Sequence, residues 1–214
     1  MKISLASKGG RIYDVRCNEV TAPDPTLIRT ITEIDLLTFS EPTFSRYTAG
    51  LLLRHGRTFL LQAEDLVIGT CQCLRSWAAP EEAVLFCMAL RPGWRGQGLG
   101  RYFVTQVLQG LAASGIESVV LEVDPADRRA IHLYEEIFGF STFAQVEDQY
   151  GRGKGKVHMR LTLAAPLDEP TPNIQSNVTL LRQPPVEPAG SALDPRCPSG
   201  TESAGTEPPG ASSA

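Results

Sequence analysis

The residues from Met88 to Arg101 carry the clearest chemical pattern in the chain. Glycines stand at alternate positions, Gly96, Gly98 and Gly100, with Arg95 before them and Arg101 after. An apolar run from Val84 to Leu90 precedes them and reads as a buried strand. Pro92 and Gly93 end it. Phe103, Val104, Val107, Leu108, Leu111 and Ala112 then fall on one face of a helix. Strand, glycine turn and helix start together make an anion site. Glycine lets the backbone turn tightly and approach a ligand closely. A helix N-terminus offers unpaired N–H groups and a partial positive charge, which suits phosphate. A Walker loop would need Gly-Lys-Ser/Thr where this chain has Gly100-Arg101-Tyr102. A dinucleotide fingerprint would need G-x-G-x-x-G where this chain has G-x-G-x-G. The pattern that fits is R-x-x-G-x-G, filled by Arg95, Gly98 and Gly100, although an ordinary glycine-rich turn would read the same way over six residues.

A second constellation lies downstream. Leu121-Glu122-Val123-Asp124 ends an apolar strand, and Asp127-Arg128-Arg129-Ala130-Ile131-His132-Leu133-Tyr134 opens a helix that Gly139-Phe140 closes. Asp127 reads as its N-cap. With the glycine loop one helix and one strand upstream, the sequence resembles the GNAT superfamily of acetyl-CoA-dependent N-acetyltransferases over about residues 10 to 164. The Glu122 and Tyr134 pair, twelve apart, is similar to the RimI type, the protein N-terminal (ribosomal-protein-alanine) acetyltransferases. The family often has Asn where this chain has Asp127, and a carboxylate beside a polyanionic cofactor is unhelpful there.

The resemblance implies a site. Arg95, Gly96, Gln97, Gly98, Leu99, Gly100 and Arg101 would take the pyrophosphate of acetyl-CoA. The backbone of Met88, Ala89 and Leu90 would pair with its pantetheine amides, as an added strand pairs with a sheet edge. Asp127 would lie near the cofactor. The acceptor amine must be neutral to attack, and an α-amine ordinarily titrates near 8 and a lysine near 10.4. Glu122 is the candidate base; a solvent-exposed carboxylate at a strand end is its plainer explanation. Tyr134 is the candidate acid toward the leaving thiolate, a core tyrosine its plainer explanation. Tyr150, in the Gly151–Gly155 loop region, and Phe39 and Phe44, between the first two helices, would wall the acceptor groove. The acceptor expected is a protein or peptide amine, foremost an N-terminal one. A small-molecule amine acetyltransferase of polyamine or aminoglycoside type, or a non-catalytic acyl-CoA-binding regulator, is the alternative.

Periodicity and caps place the elements. Residues 12–20 suit a strand. Asp24-Pro25 opens a helix that Phe39 to Pro42 breaks, and a second helix runs from Thr43 to Arg54. Residues 58–63 and 66–77 suit a hairpin turning at Glu64-Asp65. The 83–90 strand, the helix of 101–114 and the strand of 116–123 follow. A regular helix opening at Asp127 carries Ala130, Ile131, Tyr134, Ile137 and Phe138 on one face. Residues 140–146 and 157–163 close the order β-α-α-β-β-β-α-β-α-β-β, a mixed α/β sheet. The GNAT resemblance makes it an α/β (α+β) fold: a mostly antiparallel central sheet with a splayed strand pair, flanked by about four helices.

Composition bounds the rest. Residues 165–214 hold ten of the sixteen prolines and no aromatic residue. That segment cannot bury enough apolar area to offset chain entropy, so it reads as a disordered tail after a 1–164 domain. Its six acidic and two basic residues account for the whole net charge of −4. The neutral remainder argues against a nucleic-acid partner. No apolar run has the roughly 18 residues of a membrane span. Three scattered histidines offer no metal site. The five cysteines read as reduced small hydrophobes in a cytoplasmic protein.

Overall fold

A computed structural model describes residues 2–6, 12–20, 22, 24–39 and 41–163. The expected tail, 165–214, lies outside the described residues. Eight strands form one sheet: β1 (Lys2–Ala6), β2 (Ile12–Val20), β3 (Arg57–Ala63), β4 (Leu66–Arg75), β5 (Glu82–Leu90), β6 (Ser118–Val123), β7 (Ser141–Val146) and β8 (Lys156–Thr162). Their spatial order is β1-β2-β3-β4-β5-β6-β8-β7, antiparallel throughout except for the β5–β6 pair. Helices α1 (Pro25–Thr38) and α2 (Arg46–His55) cover one face. Helices α3 (Leu99–Ala112) and α4 (Arg128–His132) lie on the other.

Local chemistry explains the helix starts. The Asp24 carboxylate accepts from the amides of Thr26 and Leu27, with Pro25 in the first turn. Ser45 caps α2 by accepting from the Thr48 amide, so that helix begins at Arg46 rather than at the expected Thr43. Helix α3 has no side-chain cap. It is held instead by its buried stripe of Leu99, Phe103, Val104, Val107, Leu108 and Leu111. Each such side chain contributes about 1.5–3 kcal/mol on burial, more than a cap would. The stripe therefore fixes where the N-terminus of α3 points.

Three features depart from expectation. Strand β1 pairs with β2 from Lys2↔Arg16 to Ala6↔Ile12 and was not anticipated. Helix α3 starts at Leu99, two residues before Arg101. The regular helix expected after Asp127 gives way at Leu133 to a π-turn over Leu133–Ile137. The wider turn rotates the residues beyond it. Tyr134 stays buried, while Ile137, expected on the packed face, is 40% exposed.

Cys17, Cys71, Cys73 and Cys87 are all free, and Cys71 and Cys73 share the face toward α3 with their sulfurs 3.9 Å apart. Gly56, after α2, has no room for a side chain. A Cβ there would stand 2.5 Å from the Cys73 carbonyl oxygen and 2.9 Å from that of Leu52. Gly56→Ala is expected to cost about 1–3 kcal/mol, read as a lowered thermal midpoint. An unchanged midpoint would mean that α2 and β4 can part freely.

Candidate active site

Strand β5 leaves its neighbour half-way along. It pairs with β6 only from Glu82↔Ser118 to Leu85↔Leu121. On its other side it stays with β4 to Gly69↔Leu90. The β4 register passes from Cys73↔Leu85 to Gln72↔Cys87, so Phe86 is the extra residue of a bulge. A bulge bends its strand and adds twist. From Phe86 to Leu90, half of the main-chain donors and acceptors thus face a gap instead of a partner strand. This is the segment of Met88, Ala89 and Leu90. The Leu90 carbonyl already accepts from Arg95 Nε at 2.9 Å and from the Thr38 hydroxyl at 3.3 Å.

The glycine loop sits at the end of that gap. Pro92–Trp94 form a single 3-10 turn, and Gly96 and Gly98 follow with φ of 74° and 78°. Those left-handed conformations turn the chain into α3. Among the described residues, the amides of Gly96, Gln97, Gly98, Leu99, Gly100 and Arg101 meet no acceptor; the first helical bond is Tyr102 N–H to the Gly98 carbonyl, at 3.1 Å. Space around the glycines at 96 and 98 is open to at least 4 Å. An array of free, convergent donors fits a diphosphate. Gly98→Val is expected to weaken diphosphate binding at this loop by about tenfold or more, since a branched residue resists a positive φ. Calorimetry against CoA measures this, with circular dichroism to verify the fold.

Glu122 borders the gap from the β6 side. Glu122 lies one residue past the last β5–β6 pair, in register with His158 of β8. Its Oε1 accepts from Gln149 Nε2 at 3.0 Å and its Oε2 from the Tyr150 hydroxyl at 2.8 Å. That bond, with some burial and the carboxylate charge, raises the Tyr150 phenol above its ordinary value. Tyr134 stacks edge-on against Phe140, centroids 5.3 Å apart. Burial pushes its phenol well above the ordinary range, so it is protonated at neutral pH. Its hydroxyl bonds no described residue and is not among the sealed polar atoms. Asp127 spends its carboxylate on the Ala130 amide at 3.0 Å, the expected capping role.

Two loops stand over the far side of the gap. Asp35, buried in α1, accepts from the Thr43 amide at 2.7 Å and lies 4.0 Å from the Cys87 sulfur. Burial and that carboxylate push the Cys87 thiol up to about 12. These contacts pin the α1–α2 connection to β5. Phe44 is buried there, its ring 6.3 Å from that of Phe86 at the bulge, and Phe39 is half-exposed. From the opposite side comes the 147–155 loop, which carries Tyr150. Lys154 Nζ reaches Glu41 Oε2 at 2.6 Å, joining the two loops. The 147–155 loop and the α1–α2 connection therefore touch through this pair. A hollow of about 240 Å³, lined by His55, Arg57, Arg75, Ser114 and Ile116 among others, lies at the opposite end of β5 and includes none of these residues.

The profile of the Acetyltransferase (GNAT) family matches residues 25–140. The chain belongs to that family. Among curated proteins, it is 35% identical over 69 residues to the mycothiol acetyltransferase of Streptomyces scabiei, covering 32% of this chain and 22% of that protein. It is 38% identical over 61 residues to the [ribosomal protein bS18]-alanine N-acetyltransferase of Escherichia coli, covering 28% of this chain and 40% of that protein. The matches thus span less than half the length of both relatives. Among solved structures, the ribosomal-protein-S18-alanine N-acetyltransferase of Escherichia coli superposes with a TM-score of 0.59 at 23% identity, over 70% of this chain and 95% of that one. The two share a fold.

In this GNAT chain the sequence missed the company Glu122 keeps. Gln149 and His158 are separated from it by 27 and 36 positions, and His158 Nδ1 stands 3.7 Å from Glu122 Oε1. Only the β6–β8 pairing brings them together. The signal available was alternation in β8, which puts His158 on the face opposite Val157 and Met159. Among the described residues, no three His, Cys, Asp or Glu side chains group to hold a metal, and no helix is long and apolar enough to cross a membrane.

Proposed function

We propose that this chain transfers an acetyl group from acetyl-CoA to a primary amine, foremost the N-terminal α-amine of a protein or peptide. The observation that carries the reading is the β5–β6 gap, with free loop amides at one end and Glu122 beside it. The free amides of 96–101, with Arg95 and Arg101, fit the diphosphate. The open edge of Met88–Leu90 fits an arm made of amides. When bound, acetyl-CoA supplies the activated acyl group. The catalytic unit in this reading is residues 1–164, with 165–214 as an appended tail.

The residues then divide the work. Glu122 takes the proton that an ammonium must lose before it can attack, directly or through water. A main-chain N–H of the bulged strand donates to the oxyanion. Tyr134 shares its proton with the sulfur as the C–S bond breaks. A phenol this buried holds its proton tightly, so early donation is uphill and concerted sharing is favoured. Phe39, Phe44 and Tyr150 would face the acceptor, beside the Lys154–Glu41 pair that joins the two loops. The alanine N-acetyltransferase among the relatives supports a peptide acceptor; the mycothiol acetyltransferase supports a small-molecule acceptor as the second reading.

The test is release of free CoA by the purified chain with acetyl-CoA and, separately, peptides bearing a free N-terminal alanine and small polyamines. Turnover with peptides alone supports the proposal. Turnover with small amines alone selects the second reading. Tight CoA binding without turnover of either makes the chain a regulator.

A further inference from the structure

Acting as base leaves Glu122 with a proton it must lose before the next cycle. Its neighbours dictate where that proton goes. A carboxylate only accepts, so the Gln149 group 3.0 Å from Glu122 Oε1 is the NH2 of the amide. The Gln149 carbonyl oxygen then lies 2.6 Å from His158 Nε2. A carbonyl also only accepts, so Nε2 carries a hydrogen. In the neutral ring the lone pair is therefore on Nδ1, the atom 3.7 Å from Glu122 Oε1. The ring is held edge-on by Phe143 at 5.9 Å, and its side chain keeps 20% of its surface exposed.

We propose that His158 is a positioning and proton-relay residue for Glu122, with Gln149 fixing its tautomer. This rests on the acetyl-transfer reading. The ammonium gives a proton to Glu122, and the carboxyl passes it to Nδ1 as the ring closes the 3.7 Å gap. The result is a regenerated carboxylate and an imidazolium whose Nε2–H stays on Gln149. The imidazolium gives the proton to water through its exposed edge. After the C–N bond forms, the second nitrogen proton leaves by the same route. The sulfur gains its proton from Tyr134, which recovers one from solvent.

The charges around the ring are few. Glu122 faces it from β6, with Tyr150 and Gln149 from the loop. On β8 itself, Lys156 and Arg160 flank it two residues away. Arg160 is engaged by Glu82 of β5 at 3.0 Å and lies over the Phe143 ring of β7. Lys154 is held by Glu41 from the α1–α2 connection.

Two measurements test the relay. The first is the pH profile of turnover for wild type and His158→Gln with a peptide bearing a free N-terminal alanine. The wild type is expected to lead by about tenfold near pH 7 at unchanged acetyl-CoA affinity. The lead closes on the alkaline side, where the amine is already free. A constant ratio at every pH, or equal rates, overturns the relay. The second is nitrogen-15 NMR of the ring, assigned by difference from His158→Gln. A neutral ring with hydrogen on Nε2 and none on Nδ1 is expected; hydrogen on Nδ1 of the neutral ring overturns the proposal without reference to activity. No turnover by the wild type defeats the acetyl-transfer reading, and the relay with it, whereas a failed pH signature in an active enzyme defeats the relay alone.

Discussion

Glu122→Gln is expected to bind acetyl-CoA as the wild type does and to turn over at least about a hundredfold more slowly at neutral pH. The substitution is nearly isosteric. An amide oxygen can still accept from Gln149 or from the Tyr150 hydroxyl, so the loop keeps most of its anchorage. What is lost is a group that can take a proton. An α-amine near 8 is mostly charged at pH 7, and only its free fraction can attack. The deficit therefore shrinks as pH rises through 8 and the amine frees itself. With the carboxylate gone, the chief cause of the raised Tyr150 phenol also goes, so that phenol titrates nearer its ordinary value. Steady-state rates from pH 6 to 9.5, beside calorimetric titration with CoA, measure both. Equal turnover at pH 7 would return Glu122 to the role of a solvated strand-end carboxylate.

Removing one oxygen from Tyr134 separates catalysis from stability. Tyr134→Phe is expected to lower turnover at least about tenfold and to leave thermal stability and acetyl-CoA affinity nearly intact. The ring packs edge-on against Phe140 and stays buried in either protein. The hydroxyl has no partner among the described residues, so no buried acceptor is orphaned by its loss. The wild-type phenol is kept protonated by burial, and the sign matters. A raised phenol remains a donor throughout the physiological range, so the wild-type rate should show no alkaline loss assignable to Tyr134 below pH 10. Full turnover by Tyr134→Phe would make it a core tyrosine. A large fall in its melting temperature would mean that the hydroxyl holds the π-turn together.

Two helix starts were legible because their caps are local. Asp24-Pro25 and Asp127 carry their caps within three residues. The glycine loop was legible for the same reason: a positive φ at positions 96 and 98 needs glycine, and a helix must follow to aim the free amides. Strand β1 was not legible, since Lys2–Ala6 is extended only because β2 lies beside it. The π-turn was not, because a helical periodicity cannot show an extra residue whose place is set by Tyr134 packing against Phe140.

The order of residues along the chain was enough to mark the glycine turn and, β1 apart, the alternation of strands and helices, because each rests on contacts a few residues apart; Glu122 and Tyr134 were singled out by family resemblance instead. The fold had to supply the rest. Val84–Leu90 is an unbroken apolar run, and nothing in it marks Phe86 as the bulge; that residue is singled out by the register shift against β4, just where pairing with β6 ends. The company of Gln149, Tyr150 and His158 around one carboxylate, and the Lys154–Glu41 bridge across 113 positions, come from strand pairing at long separation. Register between distant strands is fixed by burial of a whole face, a property that no short window of sequence contains.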